Sequence, residues 1–222
     1  MRIGRAIRKR DLEGLEGNEQ LARFLRARTY ALGAAFEVRR EFFVGFRLPK
    51  SPVPIEERQR QEHLTAEVAD IAGLKLFDHG EFDIYLAPAT RIPCLLEEIG
   101  RCREETFRAV GEGTNRSLDL DEYDLYYQHL ILWDREAGKL AGAYRIGEGW
   151  VIMERYGARG FYTHSLFRMR AGFSPVLEAS VELGRSFIVP EYQRQRMPLF
   201  LLWKGILSVL IQSPQARYII CL

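Results

Sequence analysis

The sequence predicts an α/β (α+β) fold, a β-sheet flanked by helices, and three stretches predict it. Gln128 to Asp134 and Lys139 to Ile146 are β-rich runs joined by Arg135-Glu136-Ala137-Gly138, a hairpin pattern. Ile92 to Val110 places Leu95, Leu96, Ile99, Cys102 and Phe107 at helical spacing. Ala179 to Leu210 begins with a strand carrying Val181, Leu183, Ile188 and Val189 and ending at Pro190. A basic loop follows, then an apolar run from Leu199 that is too long for a strand and reads as a buried helix. The chain has 222 residues, enough for one domain plus an extension, and 47% hydrophobic with 28% charged residues argues against general disorder.

In chain order, Glu16 to Ala35 reads as an amphipathic helix with Asn18 as its cap, and Glu37 to Leu48 has β character. Pro49, Pro52 and Pro54 make residues 49–54 the linker candidate, and Ile55 to Ala72 reads as a second helix ended by Gly73. Residues 1–73 are thus expected to be a basic helical extension, and residues 74–222 the main domain. Gly80 to Pro88 alternates as a half-buried strand, and Thr90 is the expected cap of the next helix, with Pro93 in its first turn. Arg101, Arg103 and Arg108 fall on faces of that helix away from the sheet. Gly111 to Arg116 reads as a flexible, lid-like loop, followed by the acidic run Asp119, Asp121, Glu122 and Asp124. Glu148 to Tyr156 predicts a short helix, Phe161 to Phe167 an aromatic strand, and Ala216 to Leu222 a last strand.

Composition narrows the class. The longest apolar run is broken by Lys204 and is too short to span a bilayer, and the basic first ten residues lead into no apolar segment, so no signal peptide is expected. Cys94, Cys102 and Cys221 are odd in number without metal spacing, which points to reduced thiols in the cytoplasm. The histidines are scattered, and no metal is implied. Arginines crowd the start of the chain; beyond a solvated terminus, they suit an anionic membrane surface or an acidic carrier protein better than nucleic acid, for which no motif is present.

The loop Glu191-Tyr192-Gln193-Arg194-Gln195-Arg196-Met197-Pro198 leaves backbone N–H groups free at a helix start, where the helix dipole attracts anions. Arg194 and Arg196 would add charge-assisted bonds to a phosphate; an ordinary strand–loop–helix connection is the other reading. The run E-L-G-R-S-F-I-V-P-E-Y-Q-R with L-L-W-K-G-I behind it resembles the GNAT acyltransferase superfamily. Within it, the run resembles the bacterial ornithine-lipid and glycine-lipid N-acyltransferases and hemolysin-like proteins, distant relatives of acyl-homoserine-lactone synthases. The resemblance implies a GNAT-like mixed, mostly antiparallel central sheet. The glycines of the usual coenzyme A loop are absent from residues 193–198, which favours a donor on a carrier protein, with its single phosphodiester, over coenzyme A.

The resemblance also implies site residues. Phe187, Val189, Tyr192, Arg194 and Arg196 would hold the donor, with a backbone N–H of residues 187–189 as the oxyanion donor. Arg103 and Phe107 match the family's R-x-x-T/V-F helix pattern. Asp121, Asp124 and His129 match its acidic segment, where carboxylates suit a cationic amino acid. Arg145 lies on a strand like the family's third, where Gly142 permits close strand approach, and the resemblance makes Arg145 and Asp124 candidate catalytic residues beside Glu182. Glu182 is the candidate general base, with a structural ion pair to Arg185 or Arg145 as its alternative, and Arg185 and Ser186 would orient substrate or the carrier arm. For Arg145 a surface strand-end role, and for the aspartates an acidic surface turn, remain the ordinary readings. His129 and Asp134 make an H-x-x-x-x-D match, but five apart on a strand they face opposite sides and form no dyad.

These features lead to an N-acyltransferase, transferring a long acyl group from acyl carrier protein (or acyl-CoA) to the amine of an amino acid such as ornithine or glycine. No cofactor is tightly bound in that scheme. The alternatives are a lysolipid O-acyltransferase and a non-catalytic carrier- or membrane-docking module. Further family implications are a fused or partner lysophospholipid acyltransferase, C-terminal strands that continue beyond Leu222, and a cytoplasmic protein peripheral on the inner membrane.

Overall fold

The computed structural model describes Asn18, which is helical, and residues 52–221; the rest of the expected helix at 16–35 and the β segment at 37–48 lie outside the described residues. Six strands form one sheet in sequential order: β1 (Lys75–His79), β2 (Phe82–Pro88), β3 (Gln128–Asp134), β4 (Lys139–Glu148), β5 (Ser180–Ile188) and β6 (Tyr218–Cys221). Neighbours are antiparallel except β5 and β6, which are parallel. A parallel pair needs a crossover, and helix α6 (Met197–Gln212) supplies it. The remaining helices are α1 (Gln61–Asp70), α2 (Pro93–Ala109), α3 (Gly149–Tyr156), α4 (Tyr162–Leu166) and α5 (Ser174–Glu178). The sheet, mixed and mostly antiparallel, is the one the sequence implies.

Two long helices cover opposite faces. Gly205 of α6 sits so close to Leu130 and Ile84 that a Cβ there would approach Leu130 to 2.9 Å, which fixes α6 on the Leu130 face. His129 and Arg145, cross-strand partners, point to the other face, and α2 lies over it. Both faces are apolar, with Ile84, Leu130, Ile131, Leu132, Ala143, Val181 and Leu183 in one core.

Several local expectations change. Phe161 to Phe167 contains helix α4 instead of a strand. Phe161 is the buried anchor of a small second core with Tyr127, Ile152 and Leu177. The run from Lys75 to His79, unassigned from sequence, is an edge strand. The helix expected over 55–72 is confined to α1, and its Leu64 and Val68 join the main core together with Ile71. That segment is therefore part of the domain's packing, and the compact unit begins at Ser51. Val53 and Glu56 donate backbone hydrogen bonds to Asn115 and Ser117, so the chain after Pro52 is docked. The loop at 111–116 is likewise tied down: the buried Glu104 carboxylate accepts from Thr114 N, Thr114 Oγ1 and Asn115 N at 2.7–2.9 Å. Burial would raise its pKa, but these bonds and Arg108 hold the carboxyl below its usual range.

The cap of α2 is tertiary. Thr90 does not serve; instead the Glu67 carboxylate on α1 accepts the backbone N–H groups of Cys94 at 2.7 Å and Leu95 at 2.8 Å. Glu67→Ala should cost about 1 kcal/mol, the usual worth of an N-cap. Hydrogen exchange should show it as faster exchange at Cys94 and Leu95, and unchanged protection there would refute the capping role.

Candidate active site

Strand β5 changes character along its length. It pairs with β6 from Ser180 to Leu183, and with β4 on its other side. Between the pairs Arg145↔Gly184 and Ala143↔Phe187 it carries one extra residue, so Arg185 and Ser186 together stand opposite Tyr144. Arg185 takes φ +52°, a left-handed conformation uncommon for a residue with a side chain. Beyond this bulge Val189 N donates to Ala141 O at 3.0 Å, so that amide is committed to β4. Alternation along the strand then turns the Ile188 N–H, alone among the amides of residues 187–189, away from β4. Gly142 makes the close pairing possible, since a Cβ there would lie 2.7 Å from Phe187 O.

On the α2 face, three arginines and three aspartates interlock. Arg103, expected on a solvated helix face, is 1% exposed. Its Nη1 meets Asp124 Oδ1 and Oδ2 at 3.1 and 3.2 Å and Asp119 O at 3.1 Å. Arg145, also 1% exposed and so not a surface strand end, donates through Nη1 to Asp121 Oδ1 at 2.6 Å and lies 3.3 Å from Asp124 Oδ1. Arg185 reaches Asp119 Oδ2 at 3.3 Å. The acidic run holds its shape by a capping box in which Asp121 Oδ1 accepts from Tyr123 N and Asp124 N, while Asp124 Oδ2 accepts from Asp121 N. Burial alone would raise the Asp124 pKa, but Arg103 and Arg145 hold it below the usual carboxylate range. Burial dominates at Asp119, whose pKa is raised.

His129 joins the cluster through Nε2, 2.9 Å from Asp124 O. A carbonyl only accepts, so Nε2 carries the hydrogen and the buried Nδ1 stays bare, without a partner among the described residues. Burial, then the charges of Arg103 and Arg145, push this imidazole down to about 4, and it is neutral at pH 7. The Tyr123, Tyr127 and Tyr162 rings stand 5.6, 5.3 and 5.0 Å from the Arg145 guanidinium carbon, and Tyr162 is 5.4 Å from that of Arg185.

Glu182, 1% exposed, lies beyond these rings on the same face. It makes no ion pair with Arg185 or Arg145 among the described residues. Its carboxylate accepts from the Tyr127 and Thr163 hydroxyls, from Tyr162 N at 3.1 Å and from Thr163 N at 2.7 Å. Four donors match the lone pairs of two carboxylate oxygens. Burial, then the adjacent Glu182 charge, raises the Tyr127 pKa, so its proton stays on the hydroxyl. Tyr127, Tyr162 and Thr163 were not singled out as site residues from the sequence. The run of Tyr123, Tyr126 and Tyr127 inside the acidic segment was the available signal.

The structure thus brings Arg103, Asp121, Asp124, His129, Arg145, Glu182 and Arg185 to one face. Phe107 packs on the main core, and Ser186 is exposed in the bulge. Phe187 and Val189 are core residues. Tyr192 is placed elsewhere than expected: its hydroxyl donates to Asp134 Oδ2 at 2.6 Å and its ring meets Phe82 edge-on. Arg194 and Arg196 are exposed, and α6 starts behind them with Pro198 in its first turn and no side chain capping its N–H groups.

Residues 102–203 match the family model of the acetyltransferase (GNAT) domain. A glycine N(alpha)-acyltransferase of Bacteroides thetaiotaomicron is 35% identical over 169 residues, 71% of this chain and 50% of that protein. One of Phocaeicola vulgatus is 34% identical over 170 residues, 71% of this chain and 52% of its own length. An L-ornithine N(alpha)-acyltransferase of Brucella abortus is 31% identical over 128 residues, 55% of this chain and 42% of that protein. The chain spans about half the length of the first two relatives. No solved structure matches significantly. Residues 102–203 are therefore similar to the acetyltransferase (GNAT) domain, and the relatives of this chain include proteins named glycine and ornithine N-acyltransferases.

Proposed function

We propose that this protein is an N-acyltransferase that moves a long acyl chain from a thioester, carried by acyl carrier protein in preference to coenzyme A, to the amine of an amino acid such as glycine or ornithine. The observation that carries the reading is the succession on β5: a buried carboxylate at Glu182, a bulge at Arg185, and an amide at Ile188 turned away from the neighbouring strand. The amine nitrogen attacks the thioester carbon, the Ile188 N–H stabilises the oxyanion, and the C–S bond breaks as a thiolate leaves and takes up the proton that Glu182 has received from the amine. Glu182 receives the amine's proton. Both its oxygens are occupied, so the proton passes through a hydroxyl already on it, with Tyr127 taking one proton as it gives up its own. Arg103, Asp121, Asp124, His129, Arg145 and Arg185 shape the acceptor side, and Arg194 and Arg196 flank the helix start that meets the carrier's phosphodiester.

The test incubates the full chain with acyl carrier protein thioester, or acyl-CoA, and single amino acids, and reads N-acyl product by mass. Glu182→Gln should lower turnover by about 100-fold, the scale of general-base catalysis. Because its amide faces a backbone N–H whichever oxygen it replaces, the substitution should also cost about 1–3 kcal/mol of stability, so turnover is read below the melting range of the variant. Full turnover in that variant would remove Glu182 from the mechanism. Acylation of a lysolipid but of no amino acid would favour an O-acyltransferase, and carrier binding without turnover a docking module.

A further inference from the structure

Helix α6 is apolar on both faces. Its inner face, with Leu201, Leu202, Gly205, Ile206 and Val209, is buried on the sheet. Its outer face carries Phe200, Trp203, Leu207 and Ile211, spaced by three or four residues and 60%, 50%, 56% and 82% exposed. Leu199 beside them is also exposed. A helix with apolar residues all round is normally buried, and contiguous exposed apolar surface marks a binding face. Charge selects the occupant. From Gln193 to Cys221 the chain has Arg194, Arg196, Lys204 and Arg217 and neither Asp nor Glu. All four are exposed, and the Lys204 ammonium rests 4.4 Å from the Phe77 ring at the edge of the stripe.

We propose that the outer face of α6 docks on an anionic lipid bilayer, with Phe200, Trp203, Leu207 and Ile211 in the headgroup–acyl boundary and Lys204 and Arg217 on lipid phosphates. An exposed apolar stripe on a helix that itself carries a cation, Lys204, and no acidic residue is the pattern of a helix lying in the membrane interface. Trp203 at mid-stripe has the amphipathic ring that such a boundary favours. Among the described residues no helix is long and apolar enough to cross a membrane, so α6 lies on the surface and does not span. The inference rests on exposure and charge, and stands whether or not the acyl-transfer reading does.

Flotation of the full chain with vesicles of equal parts phosphatidylcholine and phosphatidylglycerol tests it. The chain should float with these vesicles, far less with pure phosphatidylcholine, and progressively less as salt rises. The triple variant Phe200→Glu, Trp203→Glu, Leu207→Glu should lose binding about tenfold or more. Because several charges on one helix can impair folding, Ile211→Glu alone is the second probe. It should weaken binding several-fold while melting like the parent. Three results overturn the proposal. These are no flotation of the parent, flotation undiminished in well-folded variants (which would assign binding to the basic first residues), or a parent dimer that the variants convert to monomer without any vesicle binding.

Discussion

Asp124→Ala should destabilise the protein by about 3–5 kcal/mol, the scale for removing one partner of a buried ion pair. The carboxylate is 1% exposed and is the shared partner of Arg103 and Arg145, themselves equally buried. Its loss leaves two guanidinium groups facing each other without the charge between them. It also removes the bond to Asp121 N that closes the capping box. Domains of this size are stable by only about 5–15 kcal/mol, so the variant should lose about a fifth or more of its margin. Urea denaturation measures it. Asp124→Asn, which keeps one acceptor oxygen, should fall between. A second control is Arg103→Met combined with Asp124→Leu. It should recover part of the loss, because an apolar pair of similar volume avoids the desolvation of both ions. An Asp124→Ala midpoint equal to that of the parent would mean that solvent reaches the cluster.

The second large effect is acid sensitivity. His129 titrates near 6.5 in an unfolded chain and at about 4 in the fold. Between those values the unfolded state binds a proton that the folded state refuses, so stability rises with pH across the window and is lost as pH falls. At about 1.4 kcal/mol per pH unit the loss approaches 3 kcal/mol by pH 4. Urea midpoints from pH 7 down to 4 should show this slope, and His129→Gln should flatten it. The glutamine amide can still donate to the Asp124 carbonyl but does not titrate. Asp124, Glu98 and Glu104, all with depressed pKa values, add their own loss only at more acid pH, since their stabilisation is present above the ordinary carboxylate range. A slope in His129→Gln equal to that of the parent would assign the sensitivity elsewhere.

Both effects come from a cluster whose members the sequence brings to notice separately. Arg103, Asp124 and Arg145 were identifiable as residue types matching a pattern, but helix periodicity alone put Arg103 toward solvent. Periodicity reports apolar spacing, and a charged residue that is buried because its partners are buried with it breaks that signal. Glu182 shows the same limit in another form: its position on the strand was legible, its donors were not. Tyr127 comes from the segment before β3, and Thr163 from a helix that its aromatic composition disguised as a strand.

The sequence by itself determined the hairpin of β3 and β4, the strand–loop–helix of β5 and α6, the length of α2, and the GNAT pattern, because these follow from local periodicity, turn chemistry and motif residues close in the chain. Only the tertiary structure decided that Glu67 caps α2, that Tyr192 serves the core through Asp134, that the bulge at Arg185 turns Ile188 outward, and that one apolar helix keeps half its surface uncovered. Each of these depends on groups brought together from distant parts of the chain, and no local pattern encodes which distant partner will satisfy a buried donor, acceptor or charge.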